Sequence, residues 1–318
     1  METLPITLSV VIPVYNEEAV IPMSFSHIYS VLSDLQVSFE IIFVNDGSSD
    51  KSRFLIESLA QHHNEVRLIN FSRNFGHQSA ITAGLRYAKG EAIVMMDADL
   101  QDPPELIPSM IQKWKNGYDI VYAKRISRIG ENWFKKATAA LFYRTLSFFA
   151  DVKIPVDVGD FRLIDRKVCD VLNQFNERHR YLRGLSVWVG FKQGDVPFIR
   201  QKRAEGNTKF SLYKMIQFAL DAISSFSIKP LRLAAYIGFI LSFIGFVYLG
   251  VVLYEKMVTG QTIQGWASLV SILLVSHGIM FIILGIMGEY IGRIYEEVKN
   301  RPHYIVESTI GIDSLAHG

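Results

Sequence analysis

The 318-residue sequence contains a single cysteine, Cys169, and carries little net charge. One cysteine excludes an intramolecular disulfide and a cysteine-rich metal cluster. The formal net charge of +2 provides no global basic field, so we expect no nucleic acid partner. The first seven residues lack a basic region followed by an apolar core, and no signal peptide is predicted there.

Charged residues are missing from two long segments near the C-terminus. Residues 233–254 and 266–288 comprise 22 and 23 residues without Lys, Arg, Asp or Glu. About 20 residues, at about 1.5 Å each, suffice to cross a hydrocarbon core about 30 Å thick. Helices buried inside a soluble domain are the alternative, but few such helices are apolar on every face. We therefore predict two transmembrane helices within residues 232–290.

Basic residues flank these two segments unequally. Three basic residues precede the first segment, namely Lys214, Lys229 and Arg232. Three others follow the second segment, namely Arg293, Lys299 and Arg301. The connecting loop contains one basic residue, Lys256. Basic flanks tend to remain on the cytoplasmic side. The sequence thus predicts an inner or plasma membrane protein of two spans, with its N-terminal half and both termini in the cytoplasm.

Short apolar runs rich in β-formers alternate with helical patterns in the first 125 residues. Strands are predicted at residues 8–14, 40–44, 66–71, 92–96 and 119–123, and residues 77–89 repeat their apolar positions with helical spacing. This alternation is typical of an α/β domain with a mostly parallel sheet and helices on both faces. Ligands of such sheets bind at the carboxyl ends of the strands, where the polar motifs of this sequence stand.

The acidic segment after the fourth predicted strand is a candidate metal site. If the chain stays extended, Asp97, Asp99 and Gln101 share one face, while Ala98 and Leu100 turn away. Three oxygen-bearing side chains suit a hard cation such as Mg²⁺ or Mn²⁺, whose remaining positions phosphate oxygens can fill. A lone Asp-x-Asp occurs often in surface turns, but its place directly after a buried strand favours the functional interpretation.

Residues 208–228 predict an amphipathic helix ahead of the first span. Such a helix would lie in the headgroup plane, and the alternative is a helix docked on the catalytic domain. The predicted organisation is a catalytic domain over residues 1–207, this juxtamembrane helix over 208–231, two transmembrane helices over 232–290 and a cytoplasmic tail over 291–318. Residues 303–318 show no pattern that indicates structure.

Four motifs together resemble a known family. They occur in the family's order within residues 7–210, and they are Ser9-Val10-Val11-Ile12-Pro13-Val14-Tyr15-Asn16-Glu17-Glu18, Val44-Asn45-Asp46-Gly47-Ser48-Ser49-Asp50, Arg73-Asn74-Phe75-Gly76-His77-Gln78 and Asp97-Ala98-Asp99-Leu100-Gln101-Asp102-Pro103-Pro104-Glu105. The sequence resembles the inverting family 2 glycosyltransferases that act on polyisoprenyl phosphates, which include dolichol-phosphate mannose synthases and bactoprenol glucosyltransferases. The resemblance implies a Rossmann-like GT-A fold, and the two C-terminal spans fit the bactoprenol branch.

The resemblance also implies a donor site. The nucleotide sugar would contact Pro13, Tyr15, Glu17, Asp46, Gln78, Asp97 and Ala98. A metal on Asp97, Asp99 and Gln101 would bind the donor diphosphate, which gives Asp99 a catalytic role. Helix capping is an alternative role for Glu17 and Asp46, because both precede helical patterns, and the two roles can coexist.

On the acceptor side, the resemblance places Asp157 beside the sugar as the second catalytic candidate. Asp157 is either a general base or an orienting residue, because a lipid monophosphate is largely ionised at neutral pH and needs little deprotonation. A basic set would bind phosphates, and comprises Lys124, Arg125, Arg128, Arg200, Arg203 and Lys209. Attraction to anionic lipid headgroups is the alternative for this set. The resemblance favours phosphate binding at Arg200 and Arg203.

The expected activity is therefore inverting transfer of one sugar, glucose from UDP-glucose, to a polyprenyl phosphate such as undecaprenyl phosphate. Transfer of another sugar, such as mannose from GDP-mannose or an amino sugar, stays open. A processive polysaccharide synthase, a non-catalytic scaffold that binds nucleotide sugars and a two-span channel subunit are less favoured alternatives. Small residues in the spans favour a homo-oligomer through close helix packing, and these are Gly238, Ser242, Gly245, Gly278, Gly285 and Gly288.

Overall fold

The structure is a computed structural model that describes residues 7–126, 158–178, 180–199, 229–259 and 265–312. In these parts of the chain, eight strands form one sheet in the order β7-β5-β6-β4-β1-β2-β3-β8. The strands are β1 Leu8–Val14, β2 Phe39–Asn45, β3 Val66–Phe71, β4 Ala92–Met95, β5 Ile120–Arg125, β6 Val158–Asp165, β7 Gln193–Phe198 and β8 Val306–Ile310. The helices are α1 Ile21–Asp34, α2 Ser52–His62, α3 His77–Tyr87, α4 Ile107–Lys115, α5 Arg166–Asn173, α6 Leu182–Trp188, α7 Lys229–Thr259 and α8 Trp266–Val298.

The sheet is mostly parallel, which confirms the predicted GT-A-like α/β class. Strands β4, β1, β2 and β3 are neighbours in that order, and each pair of them is parallel. Strands β5 and β7 are also parallel. Strands β6 and β8 are antiparallel to the strands with which they pair. Every residue of β1 is buried, as expected for a central strand covered on both faces. The five strands predicted from the sequence are present, with ends that differ by at most two residues.

Helices cover both faces of the sheet and divide the core in two. One cluster joins α1, α2 and α4 to the sheet, and the other joins α3, α5 and α6 to its opposite face. Helix α3 lies especially close to β1, because a Cβ on Gly84 would come within 2.1 Å of the Val11 side chain. At this point α3 packs directly on the middle of β1.

The register of the central strands leaves a recess at that end. Val14 of β1 pairs with Asn45 of β2, and Asn45 pairs with Asn70 of β3, so these three strands end almost level. Strand β4 ends at Met95, which pairs with Val11, three residues before the end of β1. The loop that follows β4 can therefore fold over the edge of the sheet beside the β1, β2 and β3 loops.

Strand β8 comes from a segment in which the sequence showed no structural signal. It pairs with β3, and the Asn70 amide donates to Ser308 Oγ (3.0 Å). Arg53 and Glu307 form an ion pair of 3.0 Å across this edge. Just before β8, the ring of Tyr304 stacks on Phe71 with a centroid distance of 4.9 Å. The chain thus returns from α8 to complete the catalytic sheet.

Helices α7 and α8 pack against each other and carry the two predicted spans. Their candidate windows are Leu231–Val252 and Val275–Val298, which are long and apolar enough to cross a membrane. Apart from Ala234, the side chains that the structure describes in these helices are half-buried or exposed. This exposure differs from that of core helices in a soluble domain, which are mostly buried.

Several sequence predictions about the membrane region stay predictions. The amphipathic helix over residues 208–228 lies outside the described residues, and the domain boundaries at 207, 231 and 290 are not tested. The position of a Cβ on Gly238 lies 4.0 Å from Ile283, which is a contact within the hairpin. Within α8, His277 Nδ1 lies 2.7 Å from the carbonyl oxygen of Leu273, one turn earlier in the helix. The homo-oligomer is likewise untested.

Candidate functional site

The loops after β1 and β2 interlock at the carboxyl edge of the sheet. Backbone N–H groups of Asn16 and Glu17 donate to Ser48 Oγ (3.0 Å) and Ser52 Oγ (2.9 Å). In return, the N–H of Ser49 donates to Asn16 Oδ1 at 2.8 Å. Asn16 has φ 55°, a left-handed conformation that Asn tolerates better than most residues. These reciprocal bonds order the backbone that presents Tyr15 and Glu17.

Asp46 ties the loop after β2 to the loop after β3. Its carboxylate is 2% exposed and accepts hydrogen bonds from the N–H groups of Phe75 (2.6 Å) and Gly76 (2.9 Å). Burial raises the pKa of Asp46, although these two backbone donors oppose that shift. The N-cap residue of α2 is Lys51, so the proposed capping of the following helix by Asp46 is wrong. The Asp46 side chain instead accepts hydrogen bonds from the backbone directly before α3 and orders the start of that helix.

Gly47 permits the close contact between these loops. Its φ is +65°, and a Cβ there would lie 2.4 Å from the carbonyl carbon of Arg73. Both the backbone conformation and the available space therefore require glycine.

The acidic segment forms a turn rather than a continuation of β4. The strand ends at Met95, Ala98 and Asp99 lie in a turn, and Leu100 has φ 57°. The expectation of an extended segment through Gln101 is therefore wrong, because the left-handed residue breaks the alternation of side chains. The carboxylate of Asp99 accepts the N–H of Gln101 at 3.1 Å, which stabilises the turn. The role of Gln101 as a metal ligand stays a prediction.

A cavity of about 400 Å³ opens where these loops meet, and we call it the donor cavity. Six of the predicted donor-site residues line it, namely Pro13, Tyr15, Glu17, Asp46, Asp97 and Ala98, and so does Asp99. The Tyr15 side chain is 44% exposed and is available for a planar ligand. Gln101 is only 6% exposed and is not part of this lining. The structure thus brings together residues from four separate strand ends.

His77 links Asp97 to a buried ion pair. Its Nε2 lies 3.5 Å from Asp97 Oδ1 and 3.5 Å from Asp160 Oδ2. Arg183 donates two hydrogen bonds of 2.9 Å to the carboxylate of Asp160. Burial would raise the pKa of Asp160, but the charge and hydrogen bonds of Arg183 hold it well below its usual range. Although burial lowers the pKa of His77, its two aspartate neighbours raise it overall.

Asp97 sits in an unfavourable electrostatic environment for a bare carboxylate. Burial raises its pKa, His77 opposes that shift, and the charges of Asp160 and Asp99 add to it. A positive group at the Asp97 and Asp99 carboxylates would relieve this repulsion.

Gln78 lies apart from the donor cavity. Its Oε1 accepts the backbone N–H of Leu182 at 3.2 Å, which joins the first turn of α3 to the start of α6. It lines a second cavity, which shares Gly76, His77 and Asp97 with the donor cavity. Direct contact of Gln78 with a nucleotide sugar therefore stays a prediction.

The acceptor side is described only in part. Asp157, Arg128, Arg200, Arg203 and Lys209 lie outside the described residues. Lys124 Nζ lies 3.4 Å from Asp195 Oδ2 on the neighbouring strand β7, where both side chains are exposed. Arg125 ends β5, and a Cβ on Gly159 would lie 3.0 Å from its guanidinium.

Comparison with known proteins identifies the family of this chain. Residues 9–172 match the glycosyl transferase family 2, and this segment contains every residue that lines the donor cavity. The chain is also 53% identical over 312 residues to the uncharacterized glycosyltransferase YkcC of Bacillus subtilis, covering 97% of this chain and 96% of that protein. The chain belongs to glycosyl transferase family 2.

The likeness extends through the helical hairpin of this family 2 member. Residues 229–294 match the GtrB C-terminal hairpin. The bactoprenol glucosyl transferase of Shigella phage SfII is 40% identical over 302 residues, covering 95% of this chain and 98% of that protein. Among solved structures, glucosyl-3-phosphoglycerate synthase from Mycobacterium tuberculosis aligns at 18% identity with a TM-score of 0.46, covering 69% of this chain and 76% of that chain.

Sequence reasoning missed two side chains of this family 2 site. Asn74 and His77 line the donor cavity, and both belong to a motif from which only Gln78 was selected. The signal available was the position of the motif at the carboxyl end of β3. The contact of His77 with Asp160, which lies 83 positions along the chain, depends on the antiparallel placement of β6 beside β4.

Proposed function

We propose that this protein transfers one glucose from UDP-glucose to the phosphate of a membrane polyprenol, with inversion at the anomeric carbon. The observation that carries this proposal is the 40% identity to bactoprenol glucosyl transferases, which spans both the catalytic domain and the hairpin. A relative that shared only the catalytic domain would not bear on a lipid acceptor.

The donor cavity suits the nucleoside diphosphate part of the donor. Tyr15 offers an exposed aromatic ring to a base, and Glu17 offers a carboxylate that can accept hydrogen bonds from base or ribose. Asp46 orders the loop through its two bonds to backbone N–H groups, and the remaining lone pairs of its carboxylate can accept a hydrogen bond from the base or ribose. The diphosphate would lie towards Asp97 and Asp99 on the far wall of the cavity.

A divalent cation, Mg²⁺ or Mn²⁺, fits this wall as a cofactor held jointly with the substrate. Among the residues that the structure describes, no group of three His, Cys, Asp or Glu side chains forms a metal site of its own. Two carboxylates do suit Mg²⁺ when phosphate oxygens and water complete its shell. Asp97 and Asp99 would hold the ion, with Gln101 as a further predicted ligand. Once bound, it would stabilise the charge of the departing UDP.

The transfer breaks the bond from the anomeric carbon to the diphosphate and forms a bond from that carbon to a phosphate oxygen of the lipid. The acceptor phosphate is the nucleophile, and Asp157 would orient it or accept its proton. Arg125, Arg128, Arg200, Arg203 and Lys209 are the predicted phosphate contacts. These roles rest on the family resemblance.

The arrangement of the chain supports action at a membrane. Strand β8 follows the second apolar helix and pairs with β3, so the catalytic sheet receives segments from both ends of the hairpin. If α7 and α8 cross the bilayer, the catalytic domain and β8 lie on the same side. The basic flanks favour the cytoplasm for that side. Anchoring then turns the search for a lipid acceptor into a lateral one.

The test is a transfer assay with purified full-length protein, radiolabelled UDP-glucose and short-chain polyprenyl phosphate. We expect one glucose on each lipid product, dependence on Mg²⁺ or Mn²⁺, and loss of nearly all turnover in Asp99→Ala. Asp195→Ala, an exposed aspartate on β7, is the matched control and should retain activity. Robust turnover in excess EDTA would rule out the metal role, and transfer only from another nucleotide sugar would rule out glucose.

A further inference from the structure

The second cavity lies beside the donor cavity, beyond His77 and Asp97. Its volume is about 550 Å³. Its lining includes the first turns of α3, the segment that carries Arg178, Arg180 and Arg183, and the link between α8 and β8, together with Asp97 and Asp160. Basic side chains from two of these segments face it, and they are Arg178, Arg180, Arg183 and His303.

Arg180 is a buried cation with spare hydrogen-bonding capacity. Its side chain is 8% exposed, and its Nη2 donates to the carbonyl of Leu172. Its Nε has no hydrogen-bond partner within the parts of the chain that the structure describes. Burial lowers the pKa of Arg180, and the nearby charge of Glu177 offsets this only in part. An unsatisfied buried donor on a charged group is costly unless a ligand completes it.

The lining of the cavity holds three arginines and two histidines against two aspartates, Asp97 and Asp160, and Glu177 and Glu297 lie near Arg180 and His303. Asp160 is already bonded through both oxygens to Arg183 and also faces His77. The carboxylate of Glu296 lies 3.9 Å from the guanidinium of Arg178, which is a long distance for an ion pair. Burial and the charges of Arg180 and Arg178 lower the pKa of His303, and the charge of Glu297 opposes them. What favours an anionic ligand is therefore the arginine-rich lining and the buried Nε of Arg180, which is unsatisfied within the described residues.

We propose that this second cavity is a phosphate subsite, in which Arg178, Arg180 and His303 bind the phosphate group of a ligand next to the donor cavity. Arginine suits this task because its planar fork matches phosphate oxygens. Two ligands could supply the phosphate, the lipid acceptor or the diphosphate of the donor. The lipid assignment rests on the proposed function, whereas the presence of a phosphate subsite does not.

The position of the subsite relative to α8 favours the lipid phosphate. The carboxylate of Glu297, near the end of α8, accepts the backbone N–H of Arg178 at 2.7 Å. His303 follows α8 by five residues and lines the same cavity. If α8 spans the bilayer, this link brings the arginine-lined cavity close to the surface where lipid phosphates lie.

The experiment measures binding without turnover. Full-length wild type, Arg180→Gln and His303→Gln are titrated calorimetrically with inorganic phosphate, UDP and short-chain polyprenyl phosphate. Arg53→Gln is the matched control, because Arg53 is 41% exposed and pairs with Glu57 on the surface. Loss of a charged hydrogen bond predicts about a tenfold to 100-fold weaker affinity for the ligand that uses the subsite.

We expect Arg180→Gln to weaken binding of the lipid and of inorganic phosphate, with UDP affinity within twofold of wild type. Weaker UDP binding with unchanged lipid binding would support the subsite but assign it to the donor diphosphate. Unchanged affinity for all three probes would overturn it. If Arg180→Gln does not fold, His303→Gln and Arg178→Gln decide by the same criteria. A protein that binds the lipid phosphate through this subsite but transfers no glucose would refute the proposed function alone.

Discussion

Replacing Asp160 by alanine should destabilise the folded protein strongly. Its carboxylate is 9% exposed and is the counter-charge for Arg183, which it holds through two bonds of 2.9 Å. It also raises the pKa of the buried Arg162, which burial lowers overall. Removing one partner of a buried ion pair typically costs about 3–5 kcal/mol. Because Arg183 is 28% exposed and can turn towards water, we expect the lower end, about 3 kcal/mol.

That free energy corresponds to a fall in Tm of about 6–12 °C for a domain of this size. Thermal unfolding in detergent at pH 7.5, followed by tryptophan fluorescence, measures it. The pKa of Asp160 is lowered on folding, so its own contribution is complete above the unfolded value of 3.8 and is lost as pH falls through the folded value. The assay at pH 7.5 therefore records the full effect.

Asp195→Ala is the control for this experiment, because it removes an exposed aspartate whose ion pair with Lys124 spans 3.4 Å. Exposed pairs contribute about 0–1 kcal/mol, so its Tm should change little. A Tm for Asp160→Ala as close to wild type as that of the control would refute the counter-charge role of Asp160. The double variant Asp160→Ala, Arg183→Ala should recover part of the loss, since no unpaired Arg183 remains.

Two further predictions follow from local geometry. Cys169 is fully buried, and burial raises the pKa of its thiol to about 11. The thiol should therefore resist maleimide in the folded protein and react with it after denaturation in SDS. Rapid labelling of the native protein would contradict this burial. Gly47→Ala should abolish UDP binding measured by calorimetry, because the new Cβ would lie 2.4 Å from the carbonyl carbon of Arg73. Gly117→Ala is the control, because Gly117 also has a positive φ but lies in open space. This control should only lower the free energy of unfolding, by about 1–2 kcal/mol. Equal UDP affinity in the two variants would show that the contact at Gly47 does not shape the site.

The central sheet was predictable because its strands are apolar, short and separated by helical patterns. The pattern of apolar residues along one segment indicates whether that segment is buried. Strands β1 to β5 are mostly buried, as their apolar runs predict. The place of the donor cavity was predictable for a related reason, since parallel strands bring their carboxyl ends to one edge, whereas its individual residues were selected from the family resemblance. No contact between distant segments had to be known for either result.

The features that were missed depend on contacts that a local pattern does not contain. Strand β8 is five residues long and none of them is fully buried, so it has no strong signal without its partner β3. The turn at Ala98 and Asp99 is set by Leu100 at φ 57°, a conformation that leucine seldom adopts. The bond from Leu182 to Gln78 joins residues 104 positions apart, and only the packed fold brings them together.

The late position of β8 sets an order for biosynthesis. The ribosome releases β1, β2 and β3 long before α7 and α8, yet the β3 edge is closed only by residues 306–310. Until residues 306–310 have emerged, the outer edge of β3 presents unpaired N–H and C=O groups, which are a template for aggregation. A catalytic domain cut from its hairpin would keep that edge open permanently. If α7 and α8 span the bilayer, completion of the catalytic sheet is therefore coupled to membrane insertion, because the strand that finishes the sheet is synthesised only after both helices.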